Sequence, residues 1–305
     1  MDGNGDPSWF TSEIMLAFLW SYTYNSGTMN SLAKRFESSV KYLVILSALL
    51  ILFGWIMTTP MGFFEKADAI GYAVCHRIPE RSFHIGNYQL PLCARCSGMY
   101  LGAMTGLIFQ ALYSKRRSGN PPWVVIVPLA ILVIAFGVDG ANSYLFLIKS
   151  TYAGALASIP NLYIPNNVLR LLTGSGMGIV ISAAIFPAFN QSMWKEQNPD
   201  RAIGSIKDLI LLLLITLTLD LLVLTGNPMV LYPLALFTTV GVLVLLTIVY
   251  AILWIMLFHK ENQFGRLREA WVSLLAGLTI GILQIGIIDM LRYWLTGTWG
   301  EFPLG

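Results

Sequence analysis

The chain is short of charge. Lys, Arg, Asp and Glu make up 11% of its 305 residues, where soluble domains carry about 25%. Hydrophobic residues make up 56%, against roughly 45–50% in such domains. One water-soluble core cannot hide that excess, so the composition predicts an all-α polytopic membrane protein. The formal charge of +3 is small and dispersed, and gives no reason to expect nucleic acid as a partner. No G-x-S-x-G, H-E-x-x-H or Walker signature occurs, and no stretch carries the arginine ladder of a voltage sensor. Histidine is scarce too. With three in the chain and His259 in a polar loop, no intramembrane pair exists to hold haem. The opening "MDGNGDPSW" is acidic and polar, without a basic n-region before an apolar run. The first hydrophobic span is therefore expected to act as its own insertion signal.

What the chain has is apolar length. Seven stretches can cross about 30 Å of hydrocarbon as helices: approximately 41–60, 94–113, 122–139, 168–189, 207–225, 229–258 and 270–296. Pro128 lies inside the third and Pro233 near the start of the sixth, so neighbouring helices must accommodate them. Lys and Arg alternate between the loops. Lys34, Arg35 and Lys41 precede the first span, and Lys115, Arg116 and Arg117 follow the second. Lys195, Arg201 and Lys207 separate the fourth from the fifth, and Lys260, Arg266 and Arg268 the sixth from the seventh. Twelve basic residues stand on that side and seven on the other. The positive-inside rule then predicts a cytoplasmic N-terminus and an outer C-terminus.

Three segments are expected. Residues 1–39 form a cytoplasmic N-terminal segment whose "WFTSEIMLAFLWSYTY" is too short to span and suits an interfacial amphipathic helix. Residues 40–190 form a core four-helix membrane unit with an outward Cys/His/Arg loop, 62–96. Residues 191–305 add three further transmembrane helices.

That outward loop holds most of the chemistry. "CHRIPERSFHIGNYQLPLCARCSGMYLG" contains all three cysteines and two of the three histidines. Cys93 and Cys96, at i and i+3 where the second span begins, share a helix face with Tyr100 a turn later. Cys75 lies eighteen residues upstream. Three thiolates and one imidazole would satisfy tetrahedral zinc or another divalent metal, so Cys75, His84, Cys93 and Cys96 are the expected ligands. His76 is crowded by its neighbour Cys75, and is expected to hydrogen-bond around the site or to substitute as a ligand. Other readings stay open: a disulfide, which an oxidising compartment favours; a redox-active Cys-x-x-Cys with Cys75 as the resolving thiol; or small buried residues that happen to be cysteine.

Arg77, Arg81 and Arg95 gather positive charge where the topology rule disfavours it. They are candidates for holding an anionic small molecule or lipid headgroup, although snorkelling or pairing with Glu65, Asp68 and Glu80 would also account for them. Asn142, Asn167, Arg170, Asp289 and Arg292 are expected to line the same ligand chamber. Asp139, Asp220, Arg170 and Tyr100 are the candidate catalytic or proton-relaying groups. The intramembrane ionisable residues all fall in the outer half under this orientation, and mutual neutralisation, such as Asp139 with Arg170, is the plainer alternative. Gly98, Gly102 and Gly106, with "TGSGMG" at 173–178, predict close helix packing.

The run Cys75-His76-Arg77, Pro79, Arg81-Ser82-Phe83, Cys93-x-Arg95-Cys96-x-Gly98-x-Tyr100-x-Gly102 resembles the signature of a prokaryotic multi-pass membrane-protein family known only as a domain of unknown function. "DGANSY" and "NNVLRLLTGSGMG" continue that resemblance, over approximately residues 40–190. It implies a membrane protein and marks these positions as the site, without bringing an activity. The residues themselves support an extracytoplasmic zinc-like site and an arginine-rich chamber in a cell-membrane protein. A membrane thiol–disulfide oxidoreductase and a transporter or channel are the alternatives.

Overall fold

A computed structural model describes residues 35, 37–152, 156 and 158–299. The expected interfacial helix near the N-terminus lies outside these residues. The chain divides into a unit ending at Ser47 and a unit starting at Ala48. Helix α1 (Glu37–Thr58) begins in the first. The second unit contains α2 (Phe63–Val74), α3 (Ala94–Tyr113), α4 (Trp123–Thr151), α5 (Asn167–Met193), α6 (Ile206–Leu224), α7 (Pro228–Leu257) and α8 (Trp271–Thr296). The protein is an all-α polytopic membrane protein. Among the described residues five helical stretches are long and apolar enough to cross a membrane: α1, α4, α5, α7, and α8 with the short turn before it. Helices α3 and α6 are 20 and 19 residues long but more polar, since α6 carries Lys207, Asp208 and Asp220 and α3 opens with Arg95.

The surface and the interior exchange the roles they have in water. Leu50, Phe53 and Met57 on α1, Trp123 and Ile134 on α4, and Met290 and Trp294 on α8 are exposed, as lipid contact requires. Ser97, Thr105, Ser182, Thr238 and Thr239 are buried. Several of these hydroxyls donate to a carbonyl one turn back, as Thr105 does to Leu101 at 2.8 Å and Thr239 to Ala235 at 2.7 Å. That satisfies them without water.

The tightest contact joins α3 to α5. A Cβ on Gly98 would land on the Leu171 carbonyl oxygen, and one on Gly102 on that of Ser175. From the other side, a Cβ on Gly174 would strike the Arg95 carbonyl and one on Gly178 that of Met99. The pairing ascends together along both helices, so α3 and α5 run parallel, backbone against backbone.

Two regions differ from the sequence reading. The predicted third span ends at 139, whereas α4 continues to Thr151. Its 29 residues measure about 43 Å, longer than the hydrocarbon. The extension stays helical because Asp139, Asn142 and Ser143 turn inward and are buried, so their polarity is spent on the interior. The stretch 62–93, expected as a loop, is ordered. It forms α2 and a hairpin of β1 (Ser82–Ile85) and β2 (Tyr88–Cys93), with Ser82 opposite Cys93 and Ile85 opposite Tyr88. Gly86, at φ 59, takes the left-handed first position of the two-residue turn.

The far end of the bundle is stapled by short pairings. Strands β3 (Arg117–Gly119) and β4 (Asn198–Arg201) run parallel. Arg116 stacks on Trp194 at 4.2 Å and donates to the Gly265 carbonyl at 2.8 Å. The basic loops after α3, α5 and α7 thus meet at one end, a helix length away from the cysteines at the start of α3. Gly102→Ala or Gly178→Ala should force α3 and α5 apart and cost about 1–3 kcal/mol, measured as a lower unfolding midpoint in detergent. Gly54→Ala, where nothing lies within 4 Å, should leave the midpoint unchanged or slightly higher.

Candidate metal centre and its arginine surround

Cys75 caps the C-terminus of α2, Cys93 ends β2 and precedes α3, and Cys96 lies in the first turn of α3. The hairpin folds the chain back on itself, bringing residues eighteen apart together. All three thiols are free, and one sulfur from each lies within 4.8 Å of the others. The Cys93 N–H donates to the Cys75 sulfur at 3.3 Å. Ile70, Leu92, Val242 and Ile285 pack around them, with Trp55 and Tyr100 at the edge. Hydrogen bonds from the Cys75 and Cys96 thiols hold the Cys93 thiol well below the usual range. The same contact with Cys93 pushes Cys75 up to about 11. Cys93 is therefore the more readily ionised of these two.

Neither histidine joins the group. His84 sits on β1 with its side chain exposed: Ser82 and His84, two residues apart, would share a face in a regular strand, and the bulge between them turns position 84 outward. Among the described residues the metal-capable cluster is the three cysteines alone, which corrects the expectation of His84 as a fourth ligand. His76 is exposed as well. It contributes only its carbonyl, which accepts from Arg292 at 3.3 Å.

The arginines separate by what they hold. Arg292 of α8 donates to the carbonyls of Tyr72 and Cys75, the latter at 2.7 Å, and lies 3.9 Å from the Tyr72 ring centre. A cation at the C-terminus of α2 is favoured by the helix dipole, and here it anchors the Cys75 backbone. Arg77 donates to Asp68 at 2.9 Å, and the Tyr88 hydroxyl donates to the other Asp68 oxygen at 2.5 Å. Burial raises the Asp68 pKa, against the opposing pull of Arg77 and Tyr88. Arg77 has φ 54, a strained conformation for a non-glycine residue.

Arg81, Arg95 and Arg170 form a third group around one buried carboxylate. Asp139 accepts from Arg95, from the Tyr163 hydroxyl at 2.8 Å and from Thr173 at 3.4 Å. Arg95 also donates to the Ser143 hydroxyl at 3.1 Å, and Arg81 to the Ser143 carbonyl at 3.3 Å. Arg170 donates to the Asn167 side chain at 2.8 Å. Asn167 reaches the other way, to the carbonyls of Glu80 and Ser82, pinning the hairpin to α5. Asn142 is occupied with loop 161–163, donating to the Tyr163 carbonyl and accepting from the Leu162 N–H.

The remaining intramembrane acids lie apart. Asp220 accepts from Ser175 at 2.7 Å, between α6 and α5. Asp289 accepts from the Trp55 indole at 3.3 Å. The polar residues expected in a single chamber thus have different partners: the α2 carbonyls for Arg292, Asp68 for Arg77, Asp139 for Arg95, Ser175 for Asp220 and Trp55 for Asp289. Ser143, Tyr163 and Thr173 were not among the expected site residues; the four-residue spacing from Asp139 is the signal that could have found Ser143.

These features define a polytopic membrane protein with a thiol cluster at one end. Residues 75–184 match the family described as "Predicted membrane protein (DUF2085)". An uncharacterized protein of Methanocaldococcus jannaschii is 28% identical over 169 residues, covering 51% of this chain and 96% of that protein. An uncharacterized protein of Methanothermobacter thermautotrophicus is 30% identical over 110 residues, 35% of this chain and 82% of that one. The chain belongs to this family of predicted membrane proteins. No solved structure matches it. The matched stretch takes in the three cysteines and the Asp139 group, and stops short of Asp220, Asp289 and Arg292.

Removing the Asp139 carboxylate strands the buried guanidinium of Arg95. Asp139→Ala should lower stability by about 3–5 kcal/mol, measured by unfolding of the detergent-purified protein. Asp200→Ala, which breaks an exposed contact to Arg117 at 3.9 Å, should cost less than about 1 kcal/mol.

Proposed function

We propose that the protein is a cell-membrane protein whose Cys75, Cys93 and Cys96 hold a thiophilic metal ion, beside an arginine surround that receives an anionic ligand. The observation that carries this reading is the convergence of three free thiols, from the ends of α2 and β2 and the start of α3, into one partly buried cluster. Three thiolates suit zinc or a softer ion. With no imidazole beside them, tetrahedral zinc would keep a fourth position for an exogenous ligand, as sites that bind or activate substrates do. The metal would supply Lewis acidity there. The chain's own part is to orient the ligand through guanidinium groups and to keep the thiols apart from bulk water. Asp139 and Tyr100 are the nearest candidates for moving a proton; Asp220, whose partner is Ser175, is a weaker one.

A second reading draws on the low pKa of Cys93 at the start of a helix. Cys93 could attack a disulfide as a thiolate, with Cys96 or Cys75 resolving the mixed disulfide. Metal content separates the two readings. Purified protein loaded with zinc or cadmium should retain one ion per chain. Each of Cys75→Ser, Cys93→Ser and Cys96→Ser should lose it, while His84→Ala and His76→Ala retain it. Protein that takes up no metal, and yields two of its thiols only after reduction, would establish the oxidoreductase instead.

We read the membrane arrangement as seven spans, counting α3 and α6, with the N-terminus in the cytoplasm and the cysteines on the outer side. Residues 40–190 would be the family unit and 191–305 its extension. The gathering of the basic loops at the end away from the cysteines supports this orientation. In a variant without native cysteines, a cysteine at Ser158 should react with an impermeant thiol reagent in intact cells, and one at Gln263 should not. The opposite pattern would put the thiol cluster in the cytoplasm.

A further inference from the structure

The arginine surround contains more positive charge than its protein partners neutralise. Arg77 is matched by Asp68, and Arg292 is engaged with main-chain carbonyls. Arg81, Arg95 and Arg170 are close enough to repel one another, and the counter-charges within reach are one buried carboxylate, Asp139, and the Cys93 sulfur when ionised. Glu80 also acts on Arg81, but its side chain is exposed and its charge is screened by solvent. Arg170 is only 6% exposed. Among the described residues its Nε and that of Arg95 are buried without a hydrogen-bond partner, as are those of Arg77 and Arg292. Unpaired buried guanidinium N–H groups are costly; around Asp139 they coincide with a surplus of positive charge, which an anion from outside the chain would neutralise.

The backbone adds to the same field. Because α3 and α5 are parallel and in contact, their N-termini lie side by side, Arg95 in the first turn of one and Arg170 in the first turn of the other. Each terminus carries about half a positive charge. Two adjacent positive ends, with three guanidinium groups over them, favour an anion of more than unit charge. The three side chains come from the turn before the hairpin, α3 and α5. A tetrahedral set of oxygens can use three guanidinium groups more fully than a planar carboxylate can.

We infer that Arg81, Arg95 and Arg170 cradle a tetrahedral oxyanion of the phosphate type, either free phosphate or the phosphate of a lipid headgroup. The inference rests on the reading above that the arginine surround takes an anion, and it is independent of which ion the thiols hold. Arg170 and Arg95 supply the buried N–H groups. Arg81, in the turn before the hairpin, adds the third guanidinium, and Asp139 keeps Arg95 in place. Because Ser82 pairs with Cys93 across the hairpin, the bound oxyanion lies next to the thiol cluster.

Full-length protein in detergent should bind inorganic phosphate by calorimetry, and bind it more tightly than acetate. Arg81→Gln and Arg170→Gln should each weaken that binding by about tenfold or more, with cadmium–thiolate absorption unchanged. Arg116→Gln, at the far end of the bundle beside Trp194, should leave phosphate affinity within about twofold. Binding to phosphatidic acid in phosphatidylcholine nanodiscs, without binding of free phosphate, would assign the site to a lipid headgroup. If Arg170→Gln fails to fold, Arg170→Lys, which keeps the charge and loses the planar fork, should still weaken binding. Binding of neither probe by the wild-type protein, or equal affinity in the Arg81 and Arg170 variants, would overturn the inference. Arg170-dependent binding of acetate without phosphate would overturn it too, while leaving the broader anion reading standing. Loss of metal alone would touch only the thiol site.

Discussion

The rest of the structure depends on the parallel contact between α3 and α5, made through glycine on both sides. In a bilayer, helices gain little by hiding apolar side chains from lipid, so close backbone approach and polar contacts must hold them together. Gly98, Gly102, Gly174 and Gly178 allow that approach. Its side effect is electrostatic, since two parallel neighbours put like dipole ends together. The chain answers at one end with Asp139, brought in from α4, and at the other with β3, β4 and the side chains of Asn190 and Gln191, which donate to the carbonyls of Arg117 and Ser118.

Asp139 is effective because α4 does not stop where its hydrophobic run stops. The helix continues through Asn142 and Ser143, each one turn or so beyond Asp139 on the same face. One face of this extension thus neutralises Arg95, supports Arg81 and fixes loop 161–163. A loop in its place would have left Asp139 at a frayed helix end, with the arginines around it poorly held.

Periodicity and length made the membrane-spanning helices legible, because a long apolar run in a nearly charge-free chain has few other uses. The boundary of α4 was not legible: hydropathy registers the polarity of Asp139, Asn142 and Ser143 but cannot tell an inward face from a loop. Helix α2 and the hairpin were missed because "FFEKADAIGYAV" and "SFHIGNYQLPLC" are short, and their stability comes from packing on β2, α7 and α8 rather than from local propensity. The three cysteines were legible as a group from their clustering and the Cys-x-x-Cys spacing. His84 was preferred because the choice between two histidines turned on crowding next to Cys75, whereas its exposure is decided by a bulge in a hairpin not foreseen. Of the arginines, sequence offered five candidates of equal standing. Only partners from distant elements separate Arg77, paired with Asp68, and Arg292, on the α2 carbonyls, from the three gathered around Asp139.

That separation explains how a thiol cluster can persist at the end of a lipid-embedded bundle. Each cysteine backbone is held by something other than sulfur. Cys75 is fixed by Arg292 reaching from α8 to its carbonyl, Cys93 by the ladder to Ser82, and Cys96 by the first turn of α3. With the backbones fixed independently, the sulfurs can come together before any ion or oxidant arrives, so little ordering cost remains for binding. A loop organised only by its metal would show no such redundancy; it would fold as the metal bound. The extra clamps are better suited to a site that must keep its shape while its contents change, and the arginine group beside it is held in the same way, by Asp139 and Ser143 rather than by a ligand.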